Sequence, residues 1–205
     1  MPPFHVHGAL LGAVLLMLVW SGIGPYDRYT WFLEVAPVLI SLPLLGVTYF
    51  RFRLTTLVYA LIAAHAVILM VGGHYTYARV PLFDWLRDAF GLERNHYDRL
   101  GHFAQGFVPA MIAREILLRT TPLKRGRMLF FLVGCVCLAI SAAYEVIEWL
   151  AGELTGDAAA DFLGTQGDPW DTQKDMALAG IGAVTAQLAL RRAHDRALVR
   201  LGTWR

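Results

Sequence analysis

The chain has 205 residues, of which 57% are hydrophobic and 17% are charged, and its formal net charge is +2. Its mean hydropathy is +0.48, whereas soluble globular domains carry about 45–50% apolar and about 25% charged residues. A soluble sphere of this size could not bury so much apolar surface, so the composition excludes a secreted domain, a disordered chain and a soluble nucleic-acid-binding protein. Six membrane spans of about 20 residues each would use roughly 120 residues, which is close to the apolar content.

The apolar runs predict an all-α polytopic membrane protein, a single domain over residues 1–205 with about six transmembrane helices. The predicted helices lie at residues 6–24, 31–50, 54–73, 99–118, 128–150 and 169–191. The first run has no Lys or Arg before it and no small-x-small cleavage site. We therefore expect a retained helix and not a signal peptide. The second run contains Pro37 and Pro43, which a membrane helix tolerates when its neighbours satisfy the freed carbonyls.

A shorter amphipathic segment at residues 80–91 predicts a helix lying in the plane of the membrane interface. Its sequence, VPLFDWLRDAFG, interleaves apolar side chains with charges, as interfacial helices do. Such a helix can cover a site, although packing against the rim of the bundle is the commoner role. Cys135 and Cys137 lie two residues apart in the fifth run and point in different directions on a helix. They are expected to be small apolar fillers.

The distribution of basic residues predicts the orientation. They are concentrated after the second, fourth and sixth predicted helices, whereas the loops on the other side carry fewer. By the positive-inside rule, both termini are predicted to be cytoplasmic. The two longest loops, residues 74–98 and 151–168, are then expected to face outward.

Two of the predicted helices begin with the same arrangement of polar residues. Asn95 and Asp168 are the predicted N-caps of the fourth and sixth helices. The residues three and seven positions after each cap share one helix face, and they are Asp98 and His102 in the fourth helix, and Asp171 and Asp175 in the sixth.

The fifth helix runs in the opposite direction and ends with two further carboxylates, Glu145 and Glu148, on one face. With a rise of 1.5 Å per residue, all these acidic side chains and His102 are expected within roughly 10 Å of the outer membrane boundary. A charge at the centre of a membrane helix costs about 2.5–3.5 kcal/mol, and several like charges together cost more unless protons or cations neutralise them. Carboxylate and imidazole groups suit divalent metals such as Mg, Mn, Fe or Zn.

The sequence therefore predicts an outward-facing acidic and histidine site that holds a divalent metal. The predicted metal ligands are Asp98, His102, Glu148, Asp171 and Asp175. The predicted catalytic residues are His74, Arg99 and Glu145, and the predicted substrate-binding residues are Arg79, Lys174 and Gln166. Two alternatives stay open: a proton or ion relay, and purely structural pairing of the acids with nearby basic residues, which the helix macrodipole favours in a first turn.

Four segments carry a resemblance to a known family. The segments GGHYTYARVP, RNHYDRLGHFAQGFVPA, YEVIEWLAG and FLGTQGDPWDTQKDM resemble the YjdF-type bacterial inner-membrane proteins, across nearly the whole chain. The 98–187 half also resembles the wider VanZ-like group, and the matching residues are Asp98-Arg99-x-x-His102, Glu148, and Asp175 with Gly180, Gly182 and Ala183. The 151–174 loop is longer than in that group, and Arg99 stands where Lys is usual. The resemblance implies an envelope-facing polar site in the bacterial inner membrane, but no particular reaction.

Three functional hypotheses follow from these observations. The leading one is a metal-dependent enzyme, a hydrolase or transferase, that acts on a lipid-linked or cell-envelope substrate. The second is a small transporter or proton-coupled permease, and the third is a non-catalytic membrane scaffold. The expected partner is the lipid bilayer, no nucleic-acid partner is expected, and the oligomeric state is left open.

Overall fold

The computed structural model describes residues 3–155, 162 and 165–202. Within these residues the regular structure is entirely helical, which confirms the predicted fold class. The helices are α1 (Pro3–Gly22), α2 (Arg28–Thr48), α3 (Thr56–Tyr75), α4 (Pro81–Phe90), α5 (Tyr97–Thr120), α6 (Arg127–Thr155) and α7 (Asp171–Leu201), with a 3-10 turn at Tyr77–Arg79. The short helix expected at residues 80–91 is therefore present as α4, while much of the expected 151–168 loop lies outside the described residues.

Among these helices, α1, α2, α3 and α6 are long and apolar enough to cross a membrane, judged by length and composition. Helices α5 and α7 have 24 and 31 residues, or about 36 and 46 Å at the usual helical rise. Their length would suffice, but both carry charged residues that are buried inside the bundle. The six-span topology and its orientation stay predictions.

The bundle consists of two groups of three helices. In the first group α3 packs against α1 and α2, and in the second α5 packs against α6 and α7, while α3 and α5 join the groups. Met111, Val133 and Leu198 are fully or almost fully buried in the core that includes the second group. Helices α2 and α6 make little backbone contact. Their side chains meet at one end, where Leu33 and Tyr144 belong to one apolar cluster, and a space remains between the two helices further along.

The most extensive helix contact of the described structure joins α5 and α7, which run parallel. A Cβ atom added at Gly106 would overlap the carbonyl oxygen of Ala179, and one added at Gly182 would overlap that of Phe103. Small residues at such crossings let the backbones approach closely. The two glycines therefore set the distance between α5 and α7.

A buried polar network fixes the same two helices where they end. Arg114 donates to Nδ1 of His194 at 2.7 Å and to Asp195 at 2.7 Å. Because a guanidinium has no acceptor, Nδ1 of His194 must accept, and its Nε2–H donates to Glu115 at 2.9 Å. Glu115 also accepts from the backbone and hydroxyl of Thr55, so this network joins α3, α5 and α7.

The predicted N-caps are wrong. Helix α5 begins at Tyr97 and α7 at Asp171, so Asn95 and Asp168 precede the cap positions and Pro169 lies in a turn. Each of these two side chains instead accepts a hydrogen bond from the backbone N–H two residues on, 3.0 Å long in both cases. That bond starts a turn, and the chain enters the helix only after it.

Helices α6 and α7 extend further than predicted. Helix α6 continues to Thr155 and α7 to Leu201, although the apolar runs end near residues 150 and 191. The extension of α7 is rich in arginine, which has a good helix propensity. Gly202, with φ of +74°, ends the helix in the left-handed conformation that favours glycine.

The close contact at Gly106 predicts that an alanine there destabilises the protein more than an alanine at an open glycine position. Gly106→Ala should destabilise the protein by about 1–3 kcal/mol, the usual cost of overpacking, because the new methyl group meets the backbone of α7. Gly134→Ala is the matched control in a long helix, since nothing lies within 4 Å of its added Cβ. Thermal unfolding of both variants in detergent measures the difference. Equal stability of the two would show that the close approach of α5 and α7 is not required.

Candidate functional site

His102 lies at the centre of a buried acidic cluster. The cluster is at the end of the bundle where α5 and α7 begin, and we call this end the acidic end of the bundle. Its Nε2 atom is 3.2 Å from Oδ1 of Asp98 and 3.9 Å from Oδ2 of Asp175. One ligand atom from each of the three residues lies within 4.8 Å of the other two. All three residues are buried, with Asp175 only 2% exposed. Two carboxylates and an imidazole this close together could hold a metal ion.

An arginine orients each of the two aspartates. Arg94 lies 3.3 Å from Oδ2 of Asp98, and Arg99 donates to Oδ1 of Asp175 at 2.7 Å. Each aspartate therefore binds an arginine through one oxygen and presents the other to His102. Groups that hold metal ligands in position commonly bind them in this way.

The same two arginines bind the start of α7. Arg99 donates to Asp168 at 3.0 Å and to Asp171 at 2.8 Å, and Arg94 also donates to Asp171. Asp171, predicted as a metal ligand, thus accepts from two guanidinium groups and lies outside the three-residue cluster. Arg99, predicted to be catalytic, is held by three aspartates.

The other nitrogen of His102 also faces acceptors. Nδ1 lies 3.3 Å from Oε1 of Gln105 and 3.7 Å from Oε1 of Glu145. This oxygen of Glu145 is buried and has no hydrogen-bond partner among the described residues. An imidazole proton on either nitrogen can be donated to one of these oxygens, and a cation shared with the aspartates requires an Nε2 without its proton.

A cavity of about 330 Å³ extends from this cluster toward the middle of the bundle. Helices α2, α3, α5 and α6 line it, in the space where α2 and α6 separate. Its polar end includes Asp98, His102 and the half-buried Glu148, and the remainder is largely apolar, with Leu44, Ile112 and similar side chains.

Two members of the site were missed in the sequence. Glu34 of α2 is 4% exposed and lines the cavity, and its Oε2 lies 3.4 Å from the hydroxyl of Tyr144. In the sequence, Glu34 is the one carboxylate in the apolar run of residues 31–50, and this position could have indicated its role. Arg94 is 8% exposed, and its signal was the four-residue spacing to Asp98.

His74 and Arg79, predicted to act in catalysis and substrate binding, make contacts elsewhere. Nδ1 of His74 lies 3.0 Å from the carbonyl oxygen of Ser21, and its ring centroid is 4.5 Å from that of Trp20. The guanidinium of Arg79 lies over the ring of Tyr26 at 4.3 Å. These contacts hold the α1–α2 turn against the end of α3, and neither residue lines the cavity.

Lys174 and Gln166, the other predicted substrate ligands, stabilise the connection into α7. Lys174 donates to Asp168 at 2.6 Å, and this hydrogen bond lowers the pKa of the Asp168 carboxyl below its usual value. Gln166 donates to the carbonyl oxygen of Asn95 at 3.0 Å and accepts from its N–H at 3.1 Å. The connection is therefore fixed to the start of α5 by side-chain and backbone hydrogen bonds.

The acidic end has more carboxylates than basic groups. Three basic side chains, Arg94, Arg99 and Lys174, pair with aspartates there. The carboxylates of the cluster and cavity are Glu34, Asp98, Glu145, Glu148, Asp168, Asp171 and Asp175. Buried carboxylates in excess are stabilised by protons or by a cation.

The fold and the site define an α-helical membrane protein with a buried carboxylate and histidine cluster at one end of its bundle. A family model described as "Predicted membrane protein (DUF2238)" matches residues 6–196, so the chain belongs to this family. It is 54% identical over 187 residues to the inner membrane protein YjdF of Escherichia coli K12, and the alignment covers 91% of this chain and 90% of the relative. No solved structure matches the chain. The YjdF-type resemblance is confirmed, and the chain is an integral inner-membrane protein. The VanZ-like resemblance stays a prediction.

Removal of Arg99 should be costly because three aspartates would lose their shared cation. We expect Arg99→Gln to reduce the free energy of unfolding by about 3 kcal/mol, the usual cost of leaving a buried charge unpaired. Arg87→Gln removes an arginine that pairs with Asp84 and Asp88 at the surface, where solvent screens the charges, so it should cost much less than Arg99→Gln. Equal melting temperatures for the two variants in detergent would contradict a structural role for the Arg99 network.

Proposed function

We propose that this protein is a membrane-embedded, metal-dependent enzyme that acts on a lipid-linked or cell-envelope substrate at the outer face of the inner membrane. The observation that carries the proposal is the convergence of Asp98, His102 and Asp175, with one donor atom of each within 4.8 Å of the others. The cavity that begins at this cluster supports the choice of a lipid-linked substrate.

In the proposed site, Asp98, His102 and Asp175 hold the metal. A divalent cation between their free donor atoms would offset the local excess of carboxylates and would take the place of a proton on Nε2 of His102. When bound, such an ion supplies Lewis-acid activation of an electrophile or of water. One imidazole and two carboxylates suit Zn, Mn or Fe.

Glu145 and Glu148 have different roles in this proposal. Glu145 is a positioning residue, since its unpartnered Oε1 lies 3.7 Å from Nδ1 of His102 and can accept a hydrogen bond from the Nδ1–H, which fixes the tautomer. Glu148 lies beside the cluster at the cavity wall, where substrate would enter. It is the general base or acid in the proposal, because a carboxylate near a substrate can hold and release a proton.

The cavity accommodates the apolar part of the substrate. Its volume of about 330 Å³ falls within the range of small-molecule sites, about 300–1,000 Å³. The wall away from the cluster is largely apolar, and two of the helices that line it, α2 and α6, are apolar enough to cross a membrane. An acyl or isoprenoid chain can enter such a space from the bilayer while the polar head reaches the cluster.

Metal binding tests the first half of the proposal. Purified wild-type protein loaded with Zn²⁺ or Mn²⁺ and then desalted should retain about one ion per chain by elemental analysis. His102→Ala should abolish retention, and Glu145→Gln should weaken binding about 10–100-fold, as loss of a group that orients a metal ligand does. His65→Ala is the matched control, because His65 is a histidine of the same cavity wall outside the cluster. Equal retention by His102→Ala and wild type would contradict the proposed ligands.

Product formation tests the second half. Proteoliposomes with added metal and an envelope lipid extract should convert one lipid class, as measured by mass spectrometry, and a chelator should stop the conversion. Glu148→Gln should keep the metal and lose the conversion. A wild-type protein that binds metal but changes no lipid would contradict the enzymatic proposal and leave a metal-binding or ion-relay protein.

A further inference from the structure

A second polar cavity, of about 520 Å³, lies at the opposite end of the bundle, between the start of α6 and the middle of α7. We call it the arginine cavity. Gln187 and the apolar side chains of Leu129 and Phe130 form part of its wall, and its one acidic residue is Asp195. The arginines that line it are Arg114, Arg125, Arg127, Arg191 and Arg192.

Asp195 is already paired. Its Oδ1 accepts from Arg114 at 2.7 Å and lies 3.3 Å from Arg125. The other three arginines, Arg127, Arg191 and Arg192, are exposed, and no described carboxylate lies within ion-pair distance of them. The arginine cavity therefore has a net positive charge that the described residues do not neutralise.

The start of α6 adds to this positive potential. The helix begins at Arg127 and has no acidic residue in its first turn. A helix N-terminus carries a partial positive charge of about half a unit. In α6 that end faces the same cavity as the arginines, so the helix and the side chains attract the same kind of ligand.

We propose that the arginine cavity binds an anionic phosphate group. Guanidinium groups bind phosphate through pairs of parallel N–H donors, and a basic pocket between transmembrane helices is suited to an anionic lipid headgroup. The cavity lies at the end of an apolar helix long enough to cross the membrane, which is the level of the headgroups. Leu129 and Phe130 provide an apolar wall beside the arginines.

This site is distinct from the proposed catalytic site and does not depend on it. The positive-inside rule explains an excess of basic residues on one side of the membrane, but it does not require them to line one cavity. Arg196 and Arg200 belong to the same helix and also lie outside the apolar run, yet neither lines the arginine cavity. Replacing Arg196 and Arg200 therefore removes the same charge as replacing two arginines of the cavity, and it serves as the control.

Native mass spectrometry of the whole protein in detergent tests the proposal with three probes: phosphatidylglycerol, phosphatidylcholine and inorganic phosphate. The wild type should retain phosphatidylglycerol in preference to phosphatidylcholine. Each arginine near a lipid phosphate contributes about 1 kcal/mol, or about fivefold in affinity. The Arg191→Gln, Arg192→Gln double variant should therefore bind about 25-fold more weakly. The Arg196→Gln, Arg200→Gln double variant should stay within about twofold of wild type.

The outcomes separate the two sources of phosphate. Millimolar inorganic phosphate can compete with phosphatidylglycerol for the site. If it does so in the wild type, and if only the Arg191→Gln, Arg192→Gln variant loses this competition, the result would support the site with free phosphate as its ligand. Retention of phosphatidylglycerol that phosphate does not displace would support the site with a lipid headgroup as its ligand. Equal weakening in both double variants, or equal retention of phosphatidylcholine, would overturn the proposal. A melting temperature of the Arg191→Gln, Arg192→Gln variant equal to that of wild type shows that a loss of binding does not reflect misfolding.

Discussion

The close approach of α5 and α7 is the contact on which the rest of the structure depends. Gly106 and Gly182 leave no room for a side chain between the backbones, so the two parallel helices are held at a short and constant distance. At one end this distance places Arg99 and His102 against Asp175. At the other end it places Arg114 and Glu115 against His194. Charged groups are thus buried at both ends of one apolar, glycine-lined contact.

The two ends solve the problem of buried charge differently. In the network around His194, each buried charge of Arg114 and Glu115 meets a hydrogen-bond partner, and the histidine tautomer is fixed by the arginine. At the acidic end, Oε1 of Glu145 has no hydrogen-bond partner among the described residues, and carboxylates outnumber basic groups. A satisfied network stabilises the fold, whereas an unsatisfied one beside a cavity is expected where a ligand binds.

Much of the fold and part of the site could be predicted from the sequence because both rest on local patterns. Long apolar runs specify helices, and the four-residue spacing of Asp98 and His102 specifies one helix face. The predicted depth of these residues in the membrane could not show which acidic side chains pair with which basic ones. Asp171 and Asp175 are equally plausible ligands in the sequence, but contact with both Arg94 and Arg99 separates them.

Glu34 was missed for a related reason, since a single acid in an apolar run reveals its role only when another helix is placed opposite it. His74 and Arg79 are predicted near the site because they follow the third predicted helix, residues 54–73, on the predicted outer side. Their contacts with Trp20 and Tyr26 depend on how α1 and α2 pack, which no local pattern encodes.

X-ray absorption spectroscopy of zinc-loaded protein tests the proposed metal site most directly, because it reports the ligand atoms themselves. We expect one imidazole nitrogen and carboxylate oxygens at about 2.0–2.2 Å from zinc, with the imidazole signal absent in His102→Ala and unchanged in His65→Ala. A spectrum without imidazole, or one that His102→Ala leaves unaltered, would contradict the assignment of Asp98, His102 and Asp175 as the metal site.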